Sequence, residues 1–202
     1  DSGQTDNYTN TFGEDNDYTI NPLSFKDNGD GTISDETTLL MWQQEDDGTQ
    51  RNWANAGSYC SNLNLAGQND WRLPETIELI SILDYGRTAP PIDSTIFTNT
   101  KTADYWAARL ISISNNSAWH VNGFGKIGGT SKTGTAYVRC VRGTYPTFSL
   151  TDNGDMTINQ EKTGLIWQKA DSVTNKNWEA ALNYCEGLSL ASKNDWRLPN
   201  IK

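Results

Sequence analysis

The sequence predicts an α+β fold with an antiparallel sheet, on three observations. Turn-forming residues alternate with short apolar runs at both ends of residues 25–143, a pattern typical of hairpins. Two segments with helical spacing of apolar residues lie between these ends. The helices follow one another and do not alternate with single strands, which favours an α+β arrangement over a parallel sheet.

The chain contains an internal repeat of domain size. Residues 27–74 align without a gap with residues 152–199, and 27 of the 48 aligned positions are identical. A period of 125 residues is too long for a solenoid and is typical of a whole domain. We therefore predict four segments: an extended N-terminal arm at 1–24, a complete domain at 25–143, a linker at 144–147 and the first part of a second copy at 148–202.

The front of the domain predicts a hairpin, a strand and a helix. Residues 27–31 contain Asn-Gly and Asp-Gly pairs, which favour a tight turn between two strands. The short apolar run at 39–42 predicts a buried strand. Asn52 is a good N-cap residue, and four apolar residues then recur at helical spacing: Trp53, Ala56, Cys60 and Leu63.

The rest of the domain predicts a second helix, a long loop and several strands. Pro74 stands at the expected first position of the second helix, where a missing N–H is harmless. Residues 87–103 include two adjacent prolines and predict a long ordered loop. Three short strands follow, separated by Gly, Ser, Thr and Asn: 105–108, 118–121 and 136–141.

The three cysteines fit the repeat. Cys60 and Cys140 lie in the complete copy, and we predict a disulfide between them; two buried free thiols are the alternative. A bridge across this loop contributes roughly 4 kcal/mol by chain entropy and implies an oxidising compartment. Cys185 is the counterpart of Cys60, so we expect it to be unpaired or to pair with another chain.

Composition excludes two classes of partner. The chain has 16 Lys and Arg against 25 Asp and Glu, a formal charge of −9, and lacks the basic cluster that nucleic acid requires. Its apolar runs are far shorter than the ~18 residues of a membrane span, so we expect no membrane insertion.

The first residue is Asp, which is consistent with a removed signal peptide and secretion.

The second copy carries core residues without the half that covers them. Trp167, Trp178 and Trp196 repeat three tryptophans of the first copy. Exposing such apolar surface is unfavourable and invites aggregation. We expect the natural chain to continue past Lys202; the alternative is that neighbouring chains supply the missing half by exchanging arms or half domains.

Seven short motifs, each weak alone, are together specific: Asp27-Asn-Gly-Asp-Gly-Thr32, Leu40-Met-Trp-Gln43, Trp53…Tyr59-Cys60, Asp70-Trp-Arg-Leu-Pro74, Tyr105-Trp-Ala107, Ala118-Trp-His-Val-Asn122 and Val138-Arg-Cys-Val-Arg-Gly143. In these motifs the chain resembles the family typified by the C-terminal domain of bacterial collagen-like adhesins, the Lcl C-terminal domain family. The resemblance covers residues 25–143 and repeats over 148–202.

The resemblance implies a C-type-lectin-like fold, with two helices packed on a twisted antiparallel sheet and a long loop region. In that fold a disulfide ties the first helix to the last strand, the places that Cys60 and Cys140 occupy. The family is extracellular, and its namesake adhesins bind host glycans. We therefore expect a surface or secreted protein that binds a glycan or a protein through residues 87–130. The alternative is a structural subunit of a homopolymeric extracellular fibre or surface layer.

Polar and aromatic residues beside the long loop are the candidate ligand contacts. Aromatic faces suit sugar rings and protein hot spots, although a core position is the alternative for each aromatic residue. The candidates are Asp104, Trp106, Trp119, His120 and Asn122.

Two aspartates of the first hairpin are candidate calcium ligands. They are Asp27 and Asp30, because hard cations bind clustered oxygens. The alternative is a plain hairpin turn, and no other cofactor is expected.

Two arginines are predicted to have a structural role. Arg72 and Arg197 lie between apolar neighbours, and we predict that they pair with Asp70 and Asp195 in a network that holds loops.

Catalysis is not expected. His120 is the only histidine, so no usual zinc site can be assembled, and no nucleophile elbow accompanies it. The formylglycine-generating enzymes have a related fold and use a reactive cysteine pair with copper. Here both cysteines of the complete copy are assigned to the bridge.

Overall fold

A computed structural model describes residues 2–18, 22–145, 149–161 and 163–201. The described residues form two compact units, a first unit at 2–4 and 22–145 and a second unit at 5–18 and 149–201. The predicted start of the second copy at Phe148, and residues 146–147 of the predicted linker, lie outside the described residues. So do residues 1 and 19–21 of the predicted arm.

The described part of the first unit contains two helices and seven short strands. The strands are β1 (Phe25–Asp27), β2 (Thr32–Asp35), β3 (Met41–Gln43), β4 (Tyr105–Ile111), β5 (Ser114–Val121), β6 (Ile127–Ser131) and β7 (Val141–Arg142). The helices are α1 (Trp53–Ser61) and α2 (Thr76–Ser81). This mixture confirms the predicted α+β class.

The strands form two antiparallel sheets, where the sequence predicts one. One sheet has the order β1-β2-β3-β7 and the other β4-β5-β6. The segment that includes β7 connects them: Tyr137 makes an isolated bridge to Tyr105 of β4, while Val141 of β7 lies opposite Trp42 of β3. Along residues 136–142 the pairing consists largely of single bridges, so no continuous ladder joins the two sheets.

Both helices begin at side-chain caps. Asn52 Oδ1 accepts a hydrogen bond from Asn55 N at 2.9 Å, which confirms the predicted start of α1. The predicted start of α2 at Pro74 is wrong by two residues. Glu75 is the N-cap and forms a capping box with Glu78, so the helix begins at Thr76.

Two apolar clusters form the core of the first unit. One lies under α2 and includes Phe97 and Ile92 from the long loop. The other lies under α1 and includes Trp71, Trp106 and the half-cystines. The disulfide between Cys60 and Cys140 is present, as predicted, and joins α1 to the residue before β7.

The second unit repeats the front of the first. It contains β8 (Leu150–Asp152), β9 (Thr157–Gln160), β10 (Leu165–Gln168) and α3 (Trp178–Glu186), with sheet order β10-β9-β8. Residues 5–18 of the arm belong to this unit and are not extended throughout. The buried Glu14 carboxylate accepts hydrogen bonds from Tyr8 N and Thr9 N, which curls this segment into a compact loop.

Within the described residues, no helix combines the length and the apolar character needed to cross a bilayer.

Candidate ligand-binding face

The long loop at 87–103 is held to the core at several points. Ile92 and Phe97 are buried in the cluster under α2. Thr100 Oγ1 accepts a hydrogen bond from Arg139 Nη2 at 2.8 Å, and Tyr105 Oη accepts one from Lys101 N at 2.9 Å. The loop therefore presents a defined surface, as predicted for an ordered loop.

A buried charged network supports this loop from below. Arg139 is fully buried and donates to Gln43 O at 2.8 Å and also to Gln44 O. Its Nη2 lies 4.0 Å from Asp46 Oδ2, which also accepts a 2.5 Å hydrogen bond from Tyr105 Oη. Burial lowers the pKa of Arg139, whereas burial and the Asp46 carboxylate raise the pKa of Tyr105. The neutral phenol therefore acts as a donor at physiological pH.

A tight turn after β5 lies beside the loop. Asn122 Oδ1 accepts hydrogen bonds from Phe124 N and Lys126 N, both at 3.0 Å. Tyr85 Oη donates to Gly125 O at 2.9 Å, and Gly125 has φ of 76°, which favours glycine. The turn is thus fixed at both ends, and it leaves Phe124 66% exposed.

A small cavity of about 40 Å³ lies between the loop and this turn. Its lining is mostly apolar, with polar groups supplied by Thr100, Lys101, Asn122 and Arg139. The volume suits one small group, such as a methyl. We call the surface formed by this cavity, residues 87–103 and the 122–126 turn the loop face.

The five predicted ligand residues do not form one cluster. Trp106 of β4 lies opposite His120 of β5, and Trp119, the neighbour of His120, points to the other side of the sheet. Trp106 therefore packs in the cluster under α1, whereas Trp119 packs against the cluster under α2. Trp106 is 0% exposed, and its Nε1 donates to Arg51 O at 2.7 Å. Trp106 is therefore a core residue, and its prediction as a ligand contact is wrong.

His120 and Asp104 lie together on the Trp106 side. The His120 Nε2 atom is 3.7 Å from Asp104 Oδ2, and the imidazole ring packs edge-on to Trp106 with centroids 6.4 Å apart. His120 Nδ1 is buried and makes no hydrogen bond to the described residues. Asn122 borders the cavity, but its side-chain oxygen is used by the turn. Of the five candidates, Asn122 alone lines the cavity.

The calcium candidates serve the hairpin turn. Asp27 Oδ1 accepts from Gly29 N at 2.8 Å and its Oδ2 accepts from Gln44 Nε2 at 2.9 Å. Asp30 Oδ1 accepts from both the backbone and the hydroxyl of Thr32. Across the described ranges, no three His, Cys, Asp or Glu side chains converge as a metal site requires. Both carboxylates therefore accept hydrogen bonds from this hairpin and from Gln44.

The predicted pairing of Arg72 with Asp70 is wrong. Arg72 forms a two-pronged salt bridge with the buried Glu78, at 2.6 and 2.8 Å, whereas Asp70 pairs with Arg142 at 2.6 Å. The helix cap places the Glu78 carboxylate beside Arg72, and periodicity alone does not reveal this.

The predicted pair of Arg197 with Asp195 in the second copy is not formed either. Arg197 Nη1 donates to Leu198 O at 3.4 Å, and its guanidinium lies 5.9 Å from the Tyr18 ring centroid. Asp195, its predicted partner, forms no salt bridge within the described chain.

Sequence reasoning missed the residues that shape the loop face. Phe124, Asp46 and Arg139 received no role, although the sequence Asn122-Gly-Phe-Gly125 signals a tight turn with an exposed aromatic residue. The buried Arg139 gave no comparable signal, because its partners lie 39 to 96 positions away in the chain.

The comparisons place the chain in a family. No curated protein matches it. The model of the Lcl C-terminal domain matches residues 31–142 and again residues 156–202, so both copies are recognised and most of the chain is covered. The chain belongs to the Lcl C-terminal domain family.

Proposed function

We propose that the protein is an extracellular, non-catalytic recognition module of a bacterial surface, with a C-type-lectin-like fold. The observation that carries the proposal is Phe124, which is 66% exposed on a turn fixed at both ends. An exposed aromatic side chain on a rigid frame offers apolar area at a low cost in entropy, the usual property of binding hot spots.

The chemistry of the loop face favours a neutral glycan as the ligand. Aromatic rings stack on the apolar faces of sugars, and the adjacent cavity accepts a group of methyl size. The formal charge of −9 disfavours polyanionic ligands by long-range repulsion. The disulfide between Cys60 and Cys140 supports secretion, since such bridges persist in oxidising compartments.

A glycan array with neutral and sulfated oligosaccharides tests this proposal. We expect the intact chain to bind neutral glycans, and Phe124→Ala to weaken binding about tenfold through the loss of roughly 1.4 kcal/mol of stacking. Val173→Ala is the matched control, because Val173 is equally apolar and fully exposed on the second unit. Equal binding by Phe124→Ala and the parent chain, or binding to extracellular proteins alone, contradicts the proposal.

A second candidate function is that of a structural subunit in a homopolymeric extracellular assembly, with arms or half domains exchanged between subunits. The exposed indoles of the second unit favour it, because Trp167 is 38% and Trp178 45% exposed. Large exposed apolar surfaces mark interaction sites. Native mass measured over a range of concentrations distinguishes the two: a stable particle of many chains supports assembly, and a monomer contradicts it.

A further inference from the structure

The small cavity of the loop face has a preformed apolar wall. Its apolar lining comes from α2, from the residues after it and from the long loop, and includes Leu79, Ile82, Leu83 and Ile92. The turn packs tightly on the loop, because a Cβ atom at Gly123 would lie 2.3 Å from the carbonyl carbon of Thr102. A ligand group that enters the cavity therefore meets a wall that is already in place, which lowers the cost of binding.

The hydroxyl groups of the cavity already have protein partners. Thr100 Oγ1 donates to Phe97 O at 2.7 Å and accepts from Arg139 Nη2 at 2.8 Å. Tyr105 Oη donates to Asp46 Oδ2 at 2.5 Å. These bonds hold the loop in place, so neither hydroxyl proton is available to a ligand.

The side-chain nitrogen of Asn122 is a fixed donor at the cavity. Asn122 Oδ1 accepts from Phe124 N and Lys126 N, and this fixes the orientation of the amide, since a nitrogen in that place would set donors against donors. Asn122 lines the cavity, and its Nδ2 atom makes no hydrogen bond within the described residues. The amide therefore offers a donor whose position is set by the turn.

The charged groups of the cavity are also donors. Lys101 contributes an ammonium group, which donates to Asn99 Oδ1 and carries three protons in all. Across the described ranges, no Asp or Glu side chain lines the cavity. An apolar wall with donors matches a ligand group that has an apolar end and a hydrogen-bond acceptor next to it. The acetyl group is the smallest common group of this kind on a neutral sugar.

We propose that the loop face selects an acetylated neutral sugar. The acetyl methyl fills the cavity, its carbonyl oxygen accepts from Asn122 Nδ2, and the sugar ring stacks on Phe124. The Cα atoms of these two residues lie at most about 7.6 Å apart, since two trans peptide units join them, and one sugar ring with its acetyl arm spans this distance. The inference rests on the proposed glycan binding and names the class of sugar.

Matched trisaccharides test the proposal on the intact chain by isothermal titration calorimetry. The trisaccharides of N-acetylglucosamine and of glucose with the same linkage differ only in an acetamido or a hydroxyl group on each ring. We expect the acetylated one to bind at least about tenfold tighter, the usual effect of one small apolar group in a matching pocket. An N-butanoyl trisaccharide should bind no better than the glucose one, because its chain exceeds a cavity of about 40 Å³.

An O-acetylated glucose trisaccharide distinguishes the two sources of an acetyl group. Tighter binding of either acetylated probe than of plain glucose supports the proposal, and the tighter of the two identifies the carrier. Equal binding of all the probes overturns it. Because these comparisons use the parent chain, they do not depend on the folding of a variant.

Asn122→Asp removes the donor and keeps the acceptor of the turn. A carboxylate oxygen still accepts from the turn, whereas the atom in the place of Nδ2 no longer donates. We expect the affinity for the N-acetylglucosamine trisaccharide to fall about tenfold. Asn115→Asp is the matched control, because it adds the same charge at an exposed residue of β5 outside the cavity lining. An equal loss in both variants, with urea midpoints equal to that of the parent, overturns the role of Asn122.

Phe124→Ala separates this inference from the proposed function. If it weakens binding of the N-acetylglucosamine and glucose trisaccharides while the parent chain binds both equally, glycan binding stands and acetyl selection fails. If the parent chain binds none of the trisaccharides, both fail.

Discussion

The two terminal nitrogens of Arg72 donate to the two carboxylate oxygens of Glu78, at 2.6 and 2.8 Å. The same carboxylate accepts from Glu75 N at 2.7 Å and thereby completes the cap of α2. Arg72 also donates to Gly143 O at 2.8 Å. A single side-chain pair therefore fixes the start of α2 to the end of the last strand.

Glu78→Gln should destabilise the first unit. The neutral amide no longer balances the positive charge of Arg72, and the side chain at position 78 is completely buried. We therefore expect a loss of about 2–4 kcal/mol in the free energy of unfolding. Urea denaturation measures this loss. Arg109→Gln is the control, because its salt bridge with Glu75 is solvent-exposed and should contribute less than about 1 kcal/mol. Equal effects of the two variants contradict a central role for Glu78.

Removing the disulfide should have a larger effect than removing the free thiol. Cys60→Ala combined with Cys140→Ala opens a bridge that spans 80 residues, and we expect the unfolding free energy to fall by about 2–5 kcal/mol. Cys185→Ser should leave the urea midpoint unchanged, since Cys185 forms no bridge in the chain. A shift with Cys185→Ser as large as that of the double variant is incompatible with this assignment.

The local pattern of the chain predicted the elements that depend on near neighbours. Asn52 capped α1 as predicted, and the position of Cys60 and Cys140 in the complete copy of the repeat identified the bridge correctly. These features depend on residues a few positions apart or on a unique pairing of two thiols. Local sequence therefore defines the cap of α1 and the first hairpin turn, whereas the predicted start of α2 is wrong and β6 was not predicted.

Features that depend on distant contacts were not predictable. The alternation along β4 and β5 does not reveal which face of the sheet meets α1, so Trp106 and Trp119 were grouped although they belong to different clusters. The Asp70 neighbour of Arg72 was favoured by proximity in sequence, whereas the helix cap brings Glu78 closer. The curled form of residues 5–18 depends on the buried Glu14, which no periodic pattern marks.

Acid should weaken the first unit partly through Asp47. The hydrogen bond from Arg51 lowers the pKa of Asp47, so the folded state binds this proton more weakly than the unfolded state. The contribution is therefore complete above the unfolded value of about 4 and is lost as the pH falls through the folded pKa. Asp47→Asn should reduce the drop in urea midpoint between pH 6 and pH 3. Asp171→Asn is the control for the loss of one exposed carboxylate, because Asp171 makes no hydrogen bond within the described residues. Asp47→Asn should reduce the drop more than this control does.

Chelation should leave glycan binding unchanged. The carboxylates of Asp27 and Asp30 are engaged by the turn, so we expect equal array signals with EDTA and with added calcium. Asp30→Asn should lower stability by about 1 kcal/mol through weaker bonds to Thr32 without affecting binding. Binding that disappears with EDTA and returns with calcium assigns the ion a role and contradicts this prediction.

Arg139→Met should loosen the long loop more than any change at its surface. Methionine fills the site with an apolar side chain of similar length. It leaves Asp46 buried without its counter-charge, and the carbonyls of Gln43 and Gln44 without this donor. We expect a loss of about 3–5 kcal/mol, against about 2 kcal/mol for Thr100→Val, which removes the hydrogen bond from Arg139 and the one that Thr100 Oγ1 donates to Phe97 O. Urea denaturation gives both values, and limited proteolysis reports cleavage within residues 87–103. If both variants lose the same stability and resist proteolysis equally, Arg139 does not hold the loop. If Arg139→Met alone opens the loop to cleavage, the buried guanidinium is the group that fixes the loop face.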